Sequence, residues 1–295
     1  MNQKVLAYLQ LFRAPNVFTA IADIAMGFLF TVGMVKPQMF MLAFASASLY
    51  SAGMVLNDVM DFDVDKVERP ERPLPSGRVE IAWAKKLGFG LLGLGVATAL
   101  GVGPICGAVA LALTVVIYLY DGPMKKTALA PWLMGSCRAL NVLLGMSMAA
   151  TFGQPDQLLI AGGLGLYVAG ITWFARCEAK GSDAKLLQFG IAVMAVGIIL
   201  LGLFPWFSDR AILLRGKLMW PTLLALLMMS VVRRCFFAIA NNEPKNIQAA
   251  VKHSLFSLIV LDAAVVLAVC GPMYAIGVVA LLVPTIFLGK WVYST

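Results

Sequence analysis

Residues 57–77 read NDVMDFDVDKVERPERPLPSG. They contain six of the chain's fifteen acidic residues, Asp58, Asp61, Asp63, Asp65, Glu68 and Glu71, although the whole chain is 61% hydrophobic and only 13% charged. Apolar runs of about 20 residues, the length that crosses the hydrocarbon of a bilayer, flank this stretch and recur along all 295 residues. The acids therefore interrupt an all-α, polytopic membrane bundle. What needs explaining is why so much negative charge gathers at one membrane boundary.

Reading outward, apolar segments fall near 15–35, 38–57, 81–101, 103–120, 129–150, 157–176, 186–206, 217–238, 252–270 and 273–291. The pattern predicts nine to ten transmembrane helices; the last two segments are parted only by Cys270-Gly271-Pro272, where a tight turn and a kinked helix are alternatives. No long polar linker or low-complexity tract divides the chain, which reads as one domain over 1–295. The lead MNQKVLAYLQLFRAPN runs directly into the first span without a small-residue cleavage site, so that helix is expected to be retained.

With the N-terminus placed in the cytoplasm, most of the 23 lysines and arginines fall on the inner side. Only Lys36, Arg210, Arg215 and Lys217 fall outside, with Arg138 within a span. The positive-inside rule then puts the N-terminus and the loops 58–80 and 177–185 in the cytoplasm of an inner or cytoplasmic membrane. The net charge of +8 needs no nucleic-acid partner, because basic loops facing anionic lipid head groups account for it. The five cysteines form no CxxC pair, and His253 is the sole histidine, so a histidine metal site or a Ser/His/Asp triad has almost nothing to draw on.

Asn57, Asp61 and Asp65 are spaced i, i+4, i+8, and Asp58 lies three residues before Asp61, so a helix continued past the membrane boundary aims all four along one face. Such a stripe repels itself unless a cation sits within it. A hard divalent ion such as Mg²⁺ suits carboxylate and amide oxygens and is completed by water and substrate phosphates. Asp63, Glu68 and Glu71 read as ordinary surface charge. The following RPERPLPSG stiffens the loop with three prolines and presents Arg69 and Arg72, planar forks suited to phosphate oxygens.

NDxxDxxxD followed by RPxRPLPSG, after the second span, closely resembles the first aspartate-rich motif of the UbiA superfamily of intramembrane prenyltransferases. Weaker resemblance extends over nearly the whole chain, including Arg13-Ala-Pro-Asn16 and the loop from Tyr120 to Lys126. The segments ITWFARCE at 171–178 and AAVKHSL at 249–255 look most like the EboC-like branch. The resemblance implies a helical bundle around a central cavity, open laterally to membrane lipid and capped by two acidic loops. It implies Mg²⁺ bridging those loops to an isoprenyl diphosphate donor, and an acceptor, aromatic or lipid-like, that remains unidentified. Metal ligands would be Asn57, Asp58, Asp61, Asp65, Glu178 and Asp183, with Asp61, Asp65 and Glu178 catalytic. The diphosphate would meet Arg69, Arg72, Lys125, Lys126 and Arg176. Asn16, Asp23, Tyr120, Arg138 and Asn141 would line the cavity or the acceptor side, since an unpaired charge within a span must face a partner or a cavity; Asp262 is a further such residue.

The chain departs from the family at its second motif. Where a DxxxD pair is expected, 176–183 read RCEAKGSD, so a carboxylate follows Glu178 at i+5 in Asp183, not at i+4, where Ser182 stands. On a regular helix these two diverge by about 140°. The competing reading is therefore a catalytically altered relative that binds or carries a prenyl lipid. A transporter with an Asp23, Arg138 and Asp262 relay is disfavoured, because no internal repeat is evident and the densest charge lies in loops.

Overall fold

The computed structural model describes residues 3–176, 184–210, 212–214, 218–241 and 243–292. A short helix α1 (Gln3–Leu11) leads into α2 (Ala14–Val32), α3 (Pro37–Met60), its continuation α4 (Phe62–Glu68), α5 (Ile81–Val102), α6 (Pro104–Asp121), α7 (Ala130–Met146), α8 (Pro155–Ala175) and α9 (Ala184–Leu203). Then come α10 (Met219–Ala240), α11 (Pro244–Cys270), α12 (Pro272–Val279) and α13 (Leu282–Leu288). No strand occurs among the described residues. Among the described residues eight helices are long and apolar enough to cross a membrane, which fits a multi-pass membrane protein. The ninth long helix, α7, is 17 residues and carries Arg138.

Helix boundaries follow proline. Pro15, Pro37, Pro104, Pro131, Pro155, Pro244 and Pro272 all occupy a first or second helical position, where the missing N–H has no intrahelical acceptor to lose. This explains the largest boundary error in the sequence reading. The apolar signal begins near 252, but the helix starts at Pro244 and carries its polar first turns outside the apolar zone. The final apolar segment, expected as one span, is two short helices broken near Ala280 and Leu281. That settles the count at nine long helices plus a divided tail among the described residues.

The nine long helices form a closed ring in chain order. Each of α2, α3, α5, α6, α7, α8, α9, α10 and α11 packs on the next, and α11 returns to α2. Additional packing of α7 on α2 ties the ring across its middle. Two apolar clusters result, one centred on α2, α3, α5 and α6 and the other on α7 to α11, with α2 and α7 contributing to both. The outer faces keep large apolar side chains exposed, including Phe89, Leu100, Leu111, Leu226 and Ile276, as a lipid-facing surface requires.

Glycine sets the closest helix approaches. With no hydrophobic drive between helices in lipid, backbones gain by van der Waals contact when small residues face one another. A Cβ on Gly163 would lie 2.7 Å from the Gly197 carbonyl oxygen, and one on Gly170 would lie 2.6 Å from that of Gly190, so α8 and α9 touch backbone to backbone. Between α2 and α7, Gly27 and Gly145 do the same, each facing the other helix's backbone at under 3 Å.

Gly163→Ile is therefore expected to destabilise the detergent-solubilised protein by about 1–3 kcal/mol through overpacking, read as a fall of several degrees in the thermal unfolding midpoint. Its neighbour Gly162 faces open space. Gly162→Ala should leave the midpoint unchanged or raise it, and equal losses at both positions would refute the packing argument.

Candidate active site

A cavity of about 490 Å³ opens between α2, α3, α6, α7, α8 and α11. Its mouth is polar, its walls are apolar, and its floor is charged. The mouth forms where α3 ends. Asp61 sits at the joint of α3 and α4 (φ −88°, ψ 1°), yet its N–H still bonds to Asn57 O (3.0 Å), and Asp65 N–H bonds to Asp61 O (2.8 Å). The helix thus continues past the boundary, as the acid spacing predicts.

The expected stripe divides into two pairs. Asn57 and Asp61 line the cavity, whereas Asp58 and Asp65 do not. Seven residues is nearly two full helical turns, so Asp58 and Asp65 point almost the same way and share one cation. Arg72 Nη1 meets Asp65 Oδ2 at 2.7 Å and Asp58 Oδ1 at 3.3 Å. Arg13 Nη2 adds a contact to Asp58 Oδ1 at 3.5 Å. Asn57 Nδ2 donates to Asp121 Oδ1 at 2.8 Å, and Lys125 pairs with Asp61.

The proline-rich strap is built to hold Arg72. Ser76 N–H bonds to Arg72 O (3.0 Å) and Val79 N–H to Pro73 O (3.1 Å), and Gly77 supplies the left-handed turn (φ 72°). Leu74 and Val79 bury themselves against Ala7 and Leu11 of α1 and Val55 of α3. Arg78 ties the strap to α1 by donating to Gln10 Oε1 at 2.9 Å.

Arg13, between α1 and α2, is the one non-glycine described residue with positive φ (47°), a conformation that needs support from its surroundings. Burial alone would lower the pKa of its guanidinium, but the negative charge of Asp58, and more weakly of Asp121, more than offsets this and holds it above its ordinary value. Arg176, at the end of α8, donates to Thr127 O (2.6 Å) and Lys125 O (3.3 Å), so it clasps the α6–α7 loop while lining the cavity.

The structure brings together at the mouth Asn57, Asp61, Arg69, Arg72, Tyr120, Lys125 and Arg176 of the expected set, with Asn16 also on the wall. Asp23, Arg138 and Asn141 line the floor. Lys126 is exposed and does not line the cavity. Glu178 and Asp183 lie outside the described residues. Asp121 and Tyr50 are cavity residues that the sequence reading assigned no role; Asp121 closes an apolar span immediately before a basic loop, which was the available signal.

Among the described residues no three acid, histidine or cysteine side chains converge to hold a metal alone. The mouth instead offers two carboxylates, Asp61 and Asp121, and the Asn57 amide, all hard oxygen donors opening onto the cavity. This donor set suits Mg²⁺ shared with a phosphate and water, which is how that ion is ordinarily held, and does not suit an all-protein cage.

Closed helical ring, central cavity and a mouth of paired acids and arginines define an all-helical membrane bundle built around a polar-mouthed chamber. Residues 17–258 match the UbiA prenyltransferase family, and the chain belongs to that family. It is similar to the digeranylgeranylglyceryl phosphate synthase of Ignicoccus hospitalis, 38% identical over 146 residues, which are 50% of this chain and 48% of that protein. The enzyme of the same name from Sulfolobus acidocaldarius is 36% identical over 126 residues, 42% of this chain and 46% of that one. The chain thus spans about half the length of the curated relatives it matches. In fold it resembles the structure of a UbiA homologue from Archaeoglobus fulgidus bound to GPP and Mg²⁺ (TM-score 0.63, 16% identity, covering 93% of this chain and 99% of that one). It also resembles a UbiA homologue from Aeropyrum pernix (TM-score 0.65, 16% identity, 85% and 97% covered).

Removing Arg72 strands Asp65, whose side chain is only 5% exposed, and leaves the equally buried Asp58 with the longer contact to Arg13 alone. Arg72→Met is expected to cost about 3–5 kcal/mol, the range for breaking a buried pair. Adding Asp65→Asn should recover part of that loss in the same chemical or thermal unfolding measurement; a double variant as unstable as the sum of the singles would refute the pairing.

Proposed function

We propose that the chain is a membrane prenyltransferase, residues 1–295 acting as one domain, that moves an isoprenyl group from its diphosphate to an acceptor held in the cavity. The observation that carries this reading is the position of the mouth: Asn57, Asp61 and Asp121 oxygens stand beside Arg13, Arg69, Arg72, Lys125 and Arg176 directly above an apolar chamber. The donor's diphosphate sits among these cations and its tail runs down the walls formed by Leu49, Met54, Ile117, Val168 and Leu258.

Mg²⁺ held at Asn57, Asp61 and Asp121 would draw charge onto the departing diphosphate. The residues of the chain do the rest. Arg69, Arg72 and Arg176 present forks to the phosphate oxygens and grip them more tightly as the carbon–oxygen bond breaks. Lys125, paired with Asp61 in this structure, can turn to the incoming anion. The allylic carbon left behind lies against apolar side chains that exclude water until the acceptor attacks. The Arg72 bridge to Asp58 and Asp65 keeps the strap over the mouth, so those acids support the site from outside the cavity wall. The proposed setting is an inner or cytoplasmic membrane with the mouth on the cytoplasmic side, where the basic loops would meet anionic lipid.

Purified protein in detergent should bind geranyl diphosphate only with Mg²⁺, and a chelator should abolish binding. Asp61→Asn and Asp121→Asn should each weaken this binding at least about tenfold, ~1.4 kcal/mol. Asp63, whose side chain is 94% exposed, should tolerate Asn without change. Metal-independent binding, or equal effects at all three positions, would refute the reading.

A further inference from the structure

One cation at the mouth stands where a metal ion would have to bind. Of the two carboxylates that open onto the cavity there, Asp61 carries an ion pair, and its partner is the ammonium of Lys125 on the α6–α7 loop. The charge of Lys125 also acts on Asp121, the second of those carboxylates, and Asp61 and Asp121 are near enough to repel each other. Lys125 is thus the present counter-ion of the same two acids that suit Mg²⁺. A divalent ion binds a carboxylate oxygen directly, so an ion on Asp61 Oδ2 and the ammonium now at that oxygen exclude each other by overlap and by like charge.

The other mouth cations are committed elsewhere. Arg72 is held by Asp58 and Asp65, and Arg13 by Asp58, acids that do not line the cavity. Arg176 donates to Thr127 O at 2.6 Å and to Lys125 O at 3.3 Å.

Lys125 differs in how it is held. Its side chain and that of Asp61 are 25% and 27% exposed, against 16% and 5% for Arg72 and Asp65. Water therefore screens the Lys125 pair and weakens it, whereas the Arg72 pair is locked. The backbone of Lys125 is fixed by Arg176 and by its own N–H bond to Gly122 O (3.4 Å). What is left to move is a flexible four-carbon stem that ends in a compact charge. Leaving Asp61 on its own gains Lys125 no partner, because the rest of the mouth is already lined by Arg13, Arg69, Arg72 and Arg176. An incoming diphosphate supplies one.

We propose that Lys125 is an exchangeable counter-ion that couples the two ligands of the mouth: it occupies Asp61 until a diphosphate draws it off, so a divalent metal and a diphosphate bind cooperatively and each binds weakly alone. This rests on the reading of the mouth as a metal and diphosphate site, and it names the residue that makes the two depend on each other. The coupling is reciprocal: the factor by which diphosphate tightens the metal equals the factor by which the metal tightens diphosphate.

Mn²⁺ is the probe, because its free form is counted by electron paramagnetic resonance. Inorganic diphosphate is the anion, because it carries no isoprenyl group to transfer, and a protein-free titration is subtracted. In the detergent-solubilised, unaltered full chain, diphosphate should tighten Mn²⁺ binding at least about tenfold. Lys125→Met should bind Mn²⁺ alone at least about tenfold more tightly than the unaltered protein does, and its coupling should fall below about threefold. Lys125→Arg, which keeps the charge, should stay close to the unaltered protein. Lys66→Met removes an equal charge from α4, where Lys66 pairs with exposed Asp63 away from the cavity, and should change neither value. Absence of coupling in the unaltered protein, unchanged Mn²⁺ affinity in Lys125→Met, or an equal gain in Lys66→Met or Lys125→Arg would overturn the proposal. Lys125→Gln takes the place of Lys125→Met if the latter does not fold. Mg²⁺-dependent binding of geranyl diphosphate, measured separately, reports on the mouth itself: its absence overturns the donor reading, whereas its presence with an unchanged Lys125→Met overturns only the exchange.

Discussion

An ionised carboxylate survives inside an apolar bundle only if a cation or several donors meet it, and this requirement organises the whole molecule. Arg72 between Asp58 and Asp65 is the central instance, because it joins three elements at once. It anchors the proline-rich strap to the end of α3, brings Arg13 and the start of α2 to the same acid, and leaves Asn57 and Asp61 facing the cavity. Without that pairing only the apolar contacts of Leu74 and Val79 with α1 and the hydrogen bond from Arg78 to Gln10 would hold the strap.

The same requirement recurs on the floor, with a different outcome. At the mouth, acids and bases are close to balanced and open to incoming solvent or ligand. On the floor, the acids outnumber the base and are sealed from exposure.

Close backbone contact frames one side of the cavity. Because α8 meets α9 through facing glycines and α2 meets α7 through Gly27 and Gly145, the helices on those sides approach closely, and the cavity opens beside them. The cavity thus lies beside α2 and α7, the two helices that belong to both clusters and that carry Asn16, Asp23, Arg138 and Asn141. The likeness to solved UbiA homologues at only 16% identity is consistent with a fold held by small-residue contacts and ring order, which many apolar sequences can satisfy.

By itself the sequence determined the helical membrane class, the approximate spans, the boundary at which the acids lie and most of the mouth residues, because span length, proline position and acid spacing are local properties of a helix. The i, i+4, i+8 series was enough to expect a helix continued past the boundary, but it put Asn57, Asp58, Asp61 and Asp65 together on one face. Which acids face the cavity was not local. The division of the stripe at Arg72, the bond from Asn57 to Asp121, and the meeting of Asp23, Arg138 and Asp262 all join residues on separate segments, the last spanning α2, α7 and α11. Lone polar residues in apolar spans, such as Ser46 and Asp262, show no pattern along the chain, and only the closing of the ring, with α11 returning to α2, brings them to one place.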